Sequence, residues 1–296
     1  MPPQPPLIVI GMHRSGTSLL TRLLEALGLF VGRRKEGNHE AVFFLRLNDW
    51  LLRESGGAWH NPTPLRWVLE AEPLRSRALN HLAQLCRSWR AAEYLGWRRY
   101  ASVGSLQRIP FPWGWKDPRN TFTAPLWLDL FPEATVVHIW RHGVDVARSL
   151  RRREEAHARE TAARTRRKRL RRVLLPRRTP ELWYCPRCVR LECGFALWEQ
   201  YVTQARRVID SVPDRALEIR YEDLVSDPYP TLHPIIASSG LSPDERQLRK
   251  ISSQVDSSRT HSFGDDPELT EFAARMTDRV ARIEADGPRA RRRERT

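Results

Sequence analysis

The sequence has little that ties it to a membrane or to an oxidising compartment. Its 296 residues include only four cysteines, and no apolar run approaches the ~20 residues that a bilayer-spanning helix needs. The first six residues contain neither a basic segment nor an apolar stretch, so they do not resemble a secretory signal. We therefore expect a cytoplasmic protein without a membrane span, long enough to bury the core of one large domain.

Lysine is scarce as well: only four of the 50 basic residues are Lys. The net charge of +15 comes mainly from two arginine-rich segments. Residues 151–178 carry 13 Lys/Arg and 3 Asp/Glu, and residues 289–296 carry 5 Arg and 1 Glu. The remainder of the chain is close to neutral. We expect a single domain over residues 1–288 with a basic insertion at 151–180, which forms a surface helix or a mobile lid, followed by a disordered basic tail.

The cysteines do not form a complete zinc motif. Cys185-Pro-Arg-Cys188 is followed by Cys193, and the fourth cysteine is far away at position 86. A structural zinc site needs four ligands at defined spacing, and only three cysteines cluster here. We expect reduced thiols near the start of a helix and no metal site, with zinc binding by this cluster as the alternative.

The order of apolar runs predicts an α/β fold. Residues 7–10, 110–116, 135–140 and 216–221 read as short strands, and helical patterns lie between them. Strands separated by helices indicate a P-loop-like central parallel sheet with helices on both faces. Ligands of such sheets bind beyond the carboxyl ends of the strands, where four loops are expected to gather. These loops are residues 11–17, 116–119, 141–149 and 221–223.

The loop from Gly11 to Thr17 joins the first strand to the first helix and is the most informative segment. Free N–H groups and the positive end of the helix dipole favour an anion at such a helix start. Gly11 and Gly16 have the spacing of a Walker A loop, but Thr17 occupies the position of the Walker lysine. A cation stands inside the loop instead, as Arg14. The pattern therefore predicts a phosphate cradle that differs from that of ATP-binding P-loops.

Four segments together resemble sulfotransferases that use 3′-phosphoadenylyl sulfate (PAPS). Gly11-Met-His-Arg-Ser-Gly-Thr-Ser18 resembles the 5′-phosphosulfate loop of that family, and Arg141-His-Gly-Val-Asp-Val-Ala-Arg-Ser149 resembles its 3′-phosphate element. Trp115-Lys-Asp-Pro-Arg119 and Ile219-Arg-Tyr-Glu-Asp-Leu-Val-Ser-Asp-Pro228 resemble blocks of bacterial members and of tyrosylprotein sulfotransferases. The resemblance covers residues 7 to about 228 and implies an enzyme with PAPS as the donor.

The resemblance also implies roles for individual residues. Arg141 and Ser149 would hold the 3′-phosphate, and Arg119 and Tyr221 would touch the nucleotide, although Tyr221 could equally pack at its strand end. The residues that would bind the 5′-phosphosulfate are Gly11, His13, Arg14, Ser15, Gly16, Thr17 and Ser18.

The implied reaction moves a sulfonate from PAPS to a hydroxyl or amine by in-line displacement and releases PAP. Arg14 would neutralise charge on the departing phosphate, and Lys116 is a second candidate unless it simply pairs with Asp117. The acceptor hydroxyl needs a base, for which Glu40 is the first candidate and His39 the second. A sulfonate carries less charge than a γ-phosphate, so we expect no need for a metal.

Two other classes of protein remain alternatives. A P-loop kinase would share the strand–loop–helix unit, and a nucleic-acid-binding protein would use the basic segment at 151–178, which could also recruit an acidic acceptor. That segment lacks interleaved aromatic residues, so nucleic acid is not the expected partner. The donor motifs serve enzymes that act on sugars, peptides, lipids and small metabolites, and each of these acceptor classes stays open, as does the oligomeric state.

Overall fold

The computed structural model describes residues 2–167, 183–256 and 266–287. These residues fall into two compact units. The first unit consists of residues 2–141, 201–256 and 286–287. The second unit consists of residues 142–167, 183–200 and 266–285.

The division into two compact units does not test the expectation of a single domain over residues 1–288, which stays a prediction. Of the basic insertion, the part up to Arg167 is helical. Residues 168–180 of the insertion, and the tail at 289–296, lie outside the described residues.

The first unit contains a four-stranded parallel sheet with the strand order β2-β1-β3-β4. Its strands are β1 (Leu7–Ile10), β2 (Gly114–Lys116), β3 (Thr135–Trp140) and β4 (Ala216–Arg220). They occupy the four predicted positions. Strand β2 is shorter than predicted because Pro110 and Pro112 have no N–H to donate to a neighbouring strand. All four strands end at one edge of the sheet, so the loops that follow them meet there.

Helices make up most of the remaining described chain. The segment 65–100, which reads as helical in the sequence, is divided among four α-helices, the longest of 16 residues. Gly96, with φ 77°, interrupts this segment. In chain order the helices are α1 (Thr17–Ala26), α2 (Val42–Glu54), α3 (Leu65–Glu70), α4 (Glu72–Arg87), α5 (Ala92–Leu95), α6 (Trp97–Val103), α7 (Asn120–Leu130), α8 (Gly143–Arg167), α9 (Leu191–Ser211), α10 (Tyr221–Ser226), α11 (Pro228–Ser238), α12 (Glu245–Ser252) and α13 (Pro267–Ala285).

One face of the sheet is covered by α1, α11 and α12. Their leucines and isoleucines form one buried cluster with alternate residues of the strands, because successive side chains of a strand point to opposite faces. The strand residues of this cluster are Leu7, Val9, Val137, Ile139 and Ile219.

The opposite face is covered by α2 and α7 and is rich in aromatic rings. Trp115 of β2 stacks on Phe44 of α2 with 3.8 Å between ring centroids, and Trp127 of α7 meets Trp115 edge-on at 5.4 Å. Burying such rings contributes about 1.5–3 kcal/mol each. Helices on both faces of a P-loop-like parallel sheet confirm the fold class predicted from the sequence.

A buried ion cluster joins the two strands β3 and β4. The carboxylate of Glu218 lies 2.9 Å from Nδ1 of His138 and accepts hydrogen bonds from Arg206 at 3.1 and 3.2 Å. Burial alone raises the pKa of Glu218, but hydrogen bonding and charge from His138 and Arg206 outweigh this and lower the pKa to about 2.

This depressed pKa predicts an acid-dependent loss of stability. Glu218 stabilises the fold when it is ionised, fully above its unfolded pKa near 4.5, and the stabilisation is lost as the pH falls towards about 2. Urea unfolding of the wild type should lose up to about 3 kcal/mol across this window. Glu218→Gln should be less stable near neutral pH and lose less on acidification; equal pH dependence of the two proteins would contradict the assignment.

Candidate active site

The loop after β1 has the backbone geometry of an anion cradle. Arg14 has a positive φ of 70°, and Gly16 is the N-cap of α1 with a φ of 92°. Among the described residues no side chain caps this helix start, so the N–H groups of the first turn are open to an anion. The exposed Arg14 side chain adds a permanent positive charge to the loop.

Two glycines let the loop lie directly against neighbouring elements. A Cβ at Gly11 would lie 2.2 Å from the carbonyl oxygen of Ile139, and a Cβ at Gly16 would lie 2.3 Å from the ring of Tyr221. The N–H of Gly11 donates to Oγ1 of Thr121 at 3.0 Å. The loop is thus fixed between β3, the start of α7 and the start of α10.

The hydroxyl group of Ser15 is placed where it could bind a ligand. Its side chain is fully buried, and within the described residues its hydroxyl has no hydrogen-bond partner. Leaving a buried hydroxyl unpaired costs about 1–3 kcal/mol. An anionic group held by the loop would satisfy this hydroxyl, so Ser15 and the glycines fit an anion-binding site.

Arg141, which follows β3, lies over the ring of Tyr221 with 4.6 Å from guanidinium carbon to ring centroid. Tyr221 is 6% exposed and belongs to the buried cluster beneath α1. Of its two possible roles, packing at the strand end agrees with this burial, while a contact with adenine stays a prediction. The ring connects the loop at Gly16 with Arg141.

Lys116, the last residue of β2, forms a buried ion pair. Its Nζ donates to Oε1 of Glu40 at 3.0 Å and to Oγ of Ser18 at 3.1 Å. Lys116 and Glu40 are 1% and 6% exposed. Burial raises the pKa of Glu40 and the charge of Lys116 opposes that rise. The structure therefore brings together three of the predicted site residues.

His39, the second candidate for the base, lies beside a different carboxylate. Its Nδ1 is 3.4 Å from Glu25, which also pairs with Lys35. Burial and the charge of Lys35 lower the pKa of His39. The His39 side chain thus contacts Glu25 and not the Lys116–Glu40 pair, although His39 is adjacent to Glu40 in sequence.

A polar network behind Lys116 holds the neighbouring residues. Asp117 accepts from the backbone N–H and from the guanidinium of Arg119, both at 3.0 Å, and from Asn48 at 3.0 Å. Asn48 also donates to Asn120 at 2.7 Å. The alternative pairing of Lys116 with Asp117 is wrong, because Asp117 binds Arg119. Sequence reasoning missed Asn48, although a buried Asn inside the apolar run of α2 was a signal.

Trp59 contacts the loop from outside. Its ring meets that of His13 edge-on at 4.6 Å, and its carbonyl oxygen accepts a hydrogen bond from the hydroxyl of Tyr201 at 2.6 Å. Trp59 is partly exposed. An aromatic ring therefore lies beside the loop from Gly11 to Thr17.

Three further points concern Ser149, metal ligands and membrane spans. Ser149 lies on α8 in the second unit, so its place beside Arg141 stays a prediction. In the described part of the chain no group of three or more His, Cys, Asp or Glu residues is arranged to hold a metal ion. Among the described helices, none has both the length and the apolar character needed to cross a bilayer.

The family follows from a comparison of sequences. A model described as the sulfotransferase family matches residues 5–245. The chain therefore belongs to the sulfotransferase family and is a sulfotransferase enzyme. The comparisons support this function, and nothing in them favours the kinase or the nucleic-acid-binding alternative over it. No curated protein matches the chain.

A comparison with solved structures finds sulfotransferases of low sequence identity. A sulfotransferase from Alicyclobacillus acidocaldarius is 19% identical, with 95% of each chain covered and a TM-score of 0.48. The sulfotransferase domain from the curacin biosynthetic pathway is 15% identical, with 94% of this chain and 98% of that chain covered and a TM-score of 0.46. Sulfotransferase STF9 from Mycobacterium avium is 15% identical, with 94% and 77% covered and a TM-score of 0.44.

The Lys116–Glu40 pair predicts a specific pattern of stabilities. Lys116→Met leaves the carboxylate of Glu40 buried without its counter-charge, so the free energy of unfolding should fall by about 3–5 kcal/mol. Adding Glu40→Gln removes the stranded charge and should recover much of this loss. Urea unfolding of both variants measures the effect. A double variant no more stable than Lys116→Met would contradict the pairing.

Proposed function

We propose that this sulfotransferase uses PAPS as its donor and transfers the sulfonate to an acceptor hydroxyl or amine. The observation that carries the proposal is the position of Lys116, whose Nζ bonds both Ser18 of the loop and the buried carboxylate of Glu40. A cation and a candidate base thus meet at the helix start where an anion is favoured.

Two cationic positions at the carboxyl edge of the sheet suit the two anionic ends of PAPS. The amides of the loop, the hydroxyl of Ser15 and the side chain of Arg14 would hold the 5′-phosphosulfate. Arg141, with Ser149, would hold the 3′-phosphate, and Arg119 would contact the nucleotide. When bound, PAPS supplies an activated sulfonate with the phosphate of PAP as the leaving group.

Glu40 and Lys116 would divide the proton and charge requirements of the reaction. Glu40 accepts the proton of the acceptor hydroxyl, for which it must be ionised, and Lys116 favours that form. An ammonium has three N–H groups, and two of those of Lys116 bind Ser18 and Glu40. In the described part of the chain the third has no partner, so it can stabilise negative charge that develops at the helix start. This division requires no metal.

The acceptor side of the site is proposed to include Trp59. Its edge-on contact with His13 places an apolar ring beside the loop. Trp67, Trp89 and Trp97 are each more than half exposed, so packing in the core does not account for them. Incubation with [35S]PAPS and a host-cell extract, followed by identification of the labelled product, would reveal whether the acceptor is a sugar, peptide, lipid or small metabolite.

The donor assignment predicts a loss of PAP affinity in two variants. Arg14→Ala and Arg141→Ala each remove a charged hydrogen-bond donor, worth about 1.5–3 kcal/mol, so the Kd for PAP should rise about 10- to 100-fold. Calorimetric titration with PAP, in EDTA, measures this. Arg75→Ala is the control, because it removes the same charge from an exposed pair with Asp129. Wild-type affinity in both variants would overturn the assignment, and stabilisation by Mg-ATP instead of PAP would overturn the donor.

The role of Glu40 as the base predicts a defect in turnover without a defect in donor binding. Glu40→Gln keeps an oxygen that Lys116 can contact, so PAP affinity should stay near wild type while kcat falls about 10²- to 10⁴-fold. In the wild type, kcat should fall on acidification through an apparent pKa above 4.5, because the pKa of Glu40 is raised. Glu36→Gln, an exposed neighbour, is the control. Full turnover in Glu40→Gln would exclude this base.

A further inference from the structure

Two of the cysteines lie in contact within one short turn of the second unit. Cys185 precedes the 3-10 turn Pro186–Val189, Cys188 is the third residue of that turn, and both side chains are buried. The thiol of Cys188 donates to the sulfur of Cys185, with 2.7 Å between the two sulfur atoms. The N–H of Cys188 also donates to the carbonyl oxygen of Cys185 at 2.9 Å. The backbone therefore holds the two sulfurs face to face.

The turn is anchored on α8 by a buried carboxylate. Glu154 accepts hydrogen bonds from the N–H groups of Tyr184 and Cys185, each at 3.0 Å, and pairs with Arg153 at 3.3 Å. The ring of Tyr184 lies 4.1 Å from that of His157, also on α8. Several contacts with α8 thus hold the segment that contains the two sulfurs in place.

We propose that Cys185 and Cys188 are a redox-active dithiol, which a small disulfide such as glutathione disulfide oxidises to an intramolecular disulfide. The two sulfurs need only approach to about 2.05 Å to bond. Disulfides of proteins in reducing compartments are usually transient or redox-sensing, and the reactive pairs commonly have this C-x-x-C spacing.

The two thiols differ in acidity in the way that exchange requires. The hydrogen bond from Cys188 lowers the pKa of Cys185 to about 7, and the same bond together with burial raises the pKa of Cys188. Cys185 is therefore the attacking thiolate near neutral pH. Cys86, by contrast, has its pKa raised to about 12 by burial and is expected to be inert.

The exchange is balanced without a further reactant. The thiolate of Cys185 attacks one sulfur of glutathione disulfide, forms a mixed disulfide and releases one glutathione thiolate. Cys188 then loses its proton, attacks the sulfur of Cys185, and releases the second glutathione thiolate. Two protein thiols are oxidised, one glutathione disulfide is reduced to two glutathiones, and the two protons are taken up by the released thiolates.

Burial makes the reaction depend on local opening of the turn. The turn is only four residues long; its last residue, Val189, is exposed, as is Trp183 just before it. Such short surface segments open more readily than the core. Metal binding is the competing use of these thiols, with Cys193 at the start of α9 as the third sulfur.

The test is to equilibrate the full-length protein in glutathione buffers of increasing oxidation, alkylate remaining thiols with N-ethylmaleimide, and map tryptic peptides by mass spectrometry. Trypsin cleaves after Arg187, so a disulfide appears as two linked peptides. We expect a Cys185–Cys188 link in wild type and in the control Cys193→Ser. Cys188→Ser should stop at the mixed disulfide of Cys185 with glutathione, and the wild-type rate should rise between about pH 6 and pH 8.

Several outcomes would overturn the proposal. Complete alkylation of both cysteines after equilibration in the most oxidising buffer would show that they do not form a redox pair. A link that includes Cys193 or Cys86 would assign the reactivity elsewhere. Stoichiometric binding of added zinc that Cys193→Ser abolishes would identify a metal site instead. None of these measurements depends on PAPS or on sulfonation, so the result is independent of the proposed function.

Discussion

The buried ion pair between Lys116 and Glu40 is the interaction on which the site depends. Removing two charges from water costs several kcal/mol for each ion, so such a pair is retained only where its geometry is good and its other polar atoms are satisfied. Here Ser18 takes a second hydrogen bond of the ammonium group. The pair thereby ties the end of β2 and the segment before α2 to the first turn of α1, and it fixes the cradle from one side.

The remaining support of the cradle is uncharged and depends on close approach. Gly11 and Gly16 allow backbone and ring atoms to come within distances that any side chain would forbid. Tyr221 fills the space at Gly16 and carries Arg141 on its ring, so the ring sets the separation between the loop and Arg141. Behind Lys116, the neutral side chain of Asn48 and the charged side chain of Arg119 both donate hydrogen bonds to Asp117. Lys116, Asp117 and Arg141 are thus each contacted by a residue from another element.

The fold and the loop were predictable from the sequence because their signals are local. Apolar runs mark the strands, and the spacing of Gly11 and Gly16 marks the turn into α1. The partners of Lys116 and Asp117 were not predictable in the same way. Adjacent residues at a strand end point to opposite sides, so Lys116 reaches Glu40 while Asp117 reaches Asn48, which lies 69 residues away. Such long-range pairs leave no periodic pattern, and only the composition of α2, with its buried Asn, hinted at one.

The location of this lysine has a consequence for the proposed reaction. In a Walker loop the lysine belongs to the loop itself, whereas here Thr17 takes that position and Lys116 arrives from the neighbouring strand. Because Lys116 is paired with Glu40, the charges of the two groups nearly cancel while the carboxylate is ionised. In the proposed mechanism, a proton transferred from the acceptor to Glu40 would end that cancellation, and the full positive charge of Lys116 would then act on its surroundings. Because both side chains are buried, the effective dielectric constant is low and this charge would interact strongly with a neighbouring anion. It would develop as the proposed leaving phosphate becomes more negative. In the proposed mechanism, one buried salt bridge would thus couple deprotonation of the acceptor to stabilisation of the leaving group.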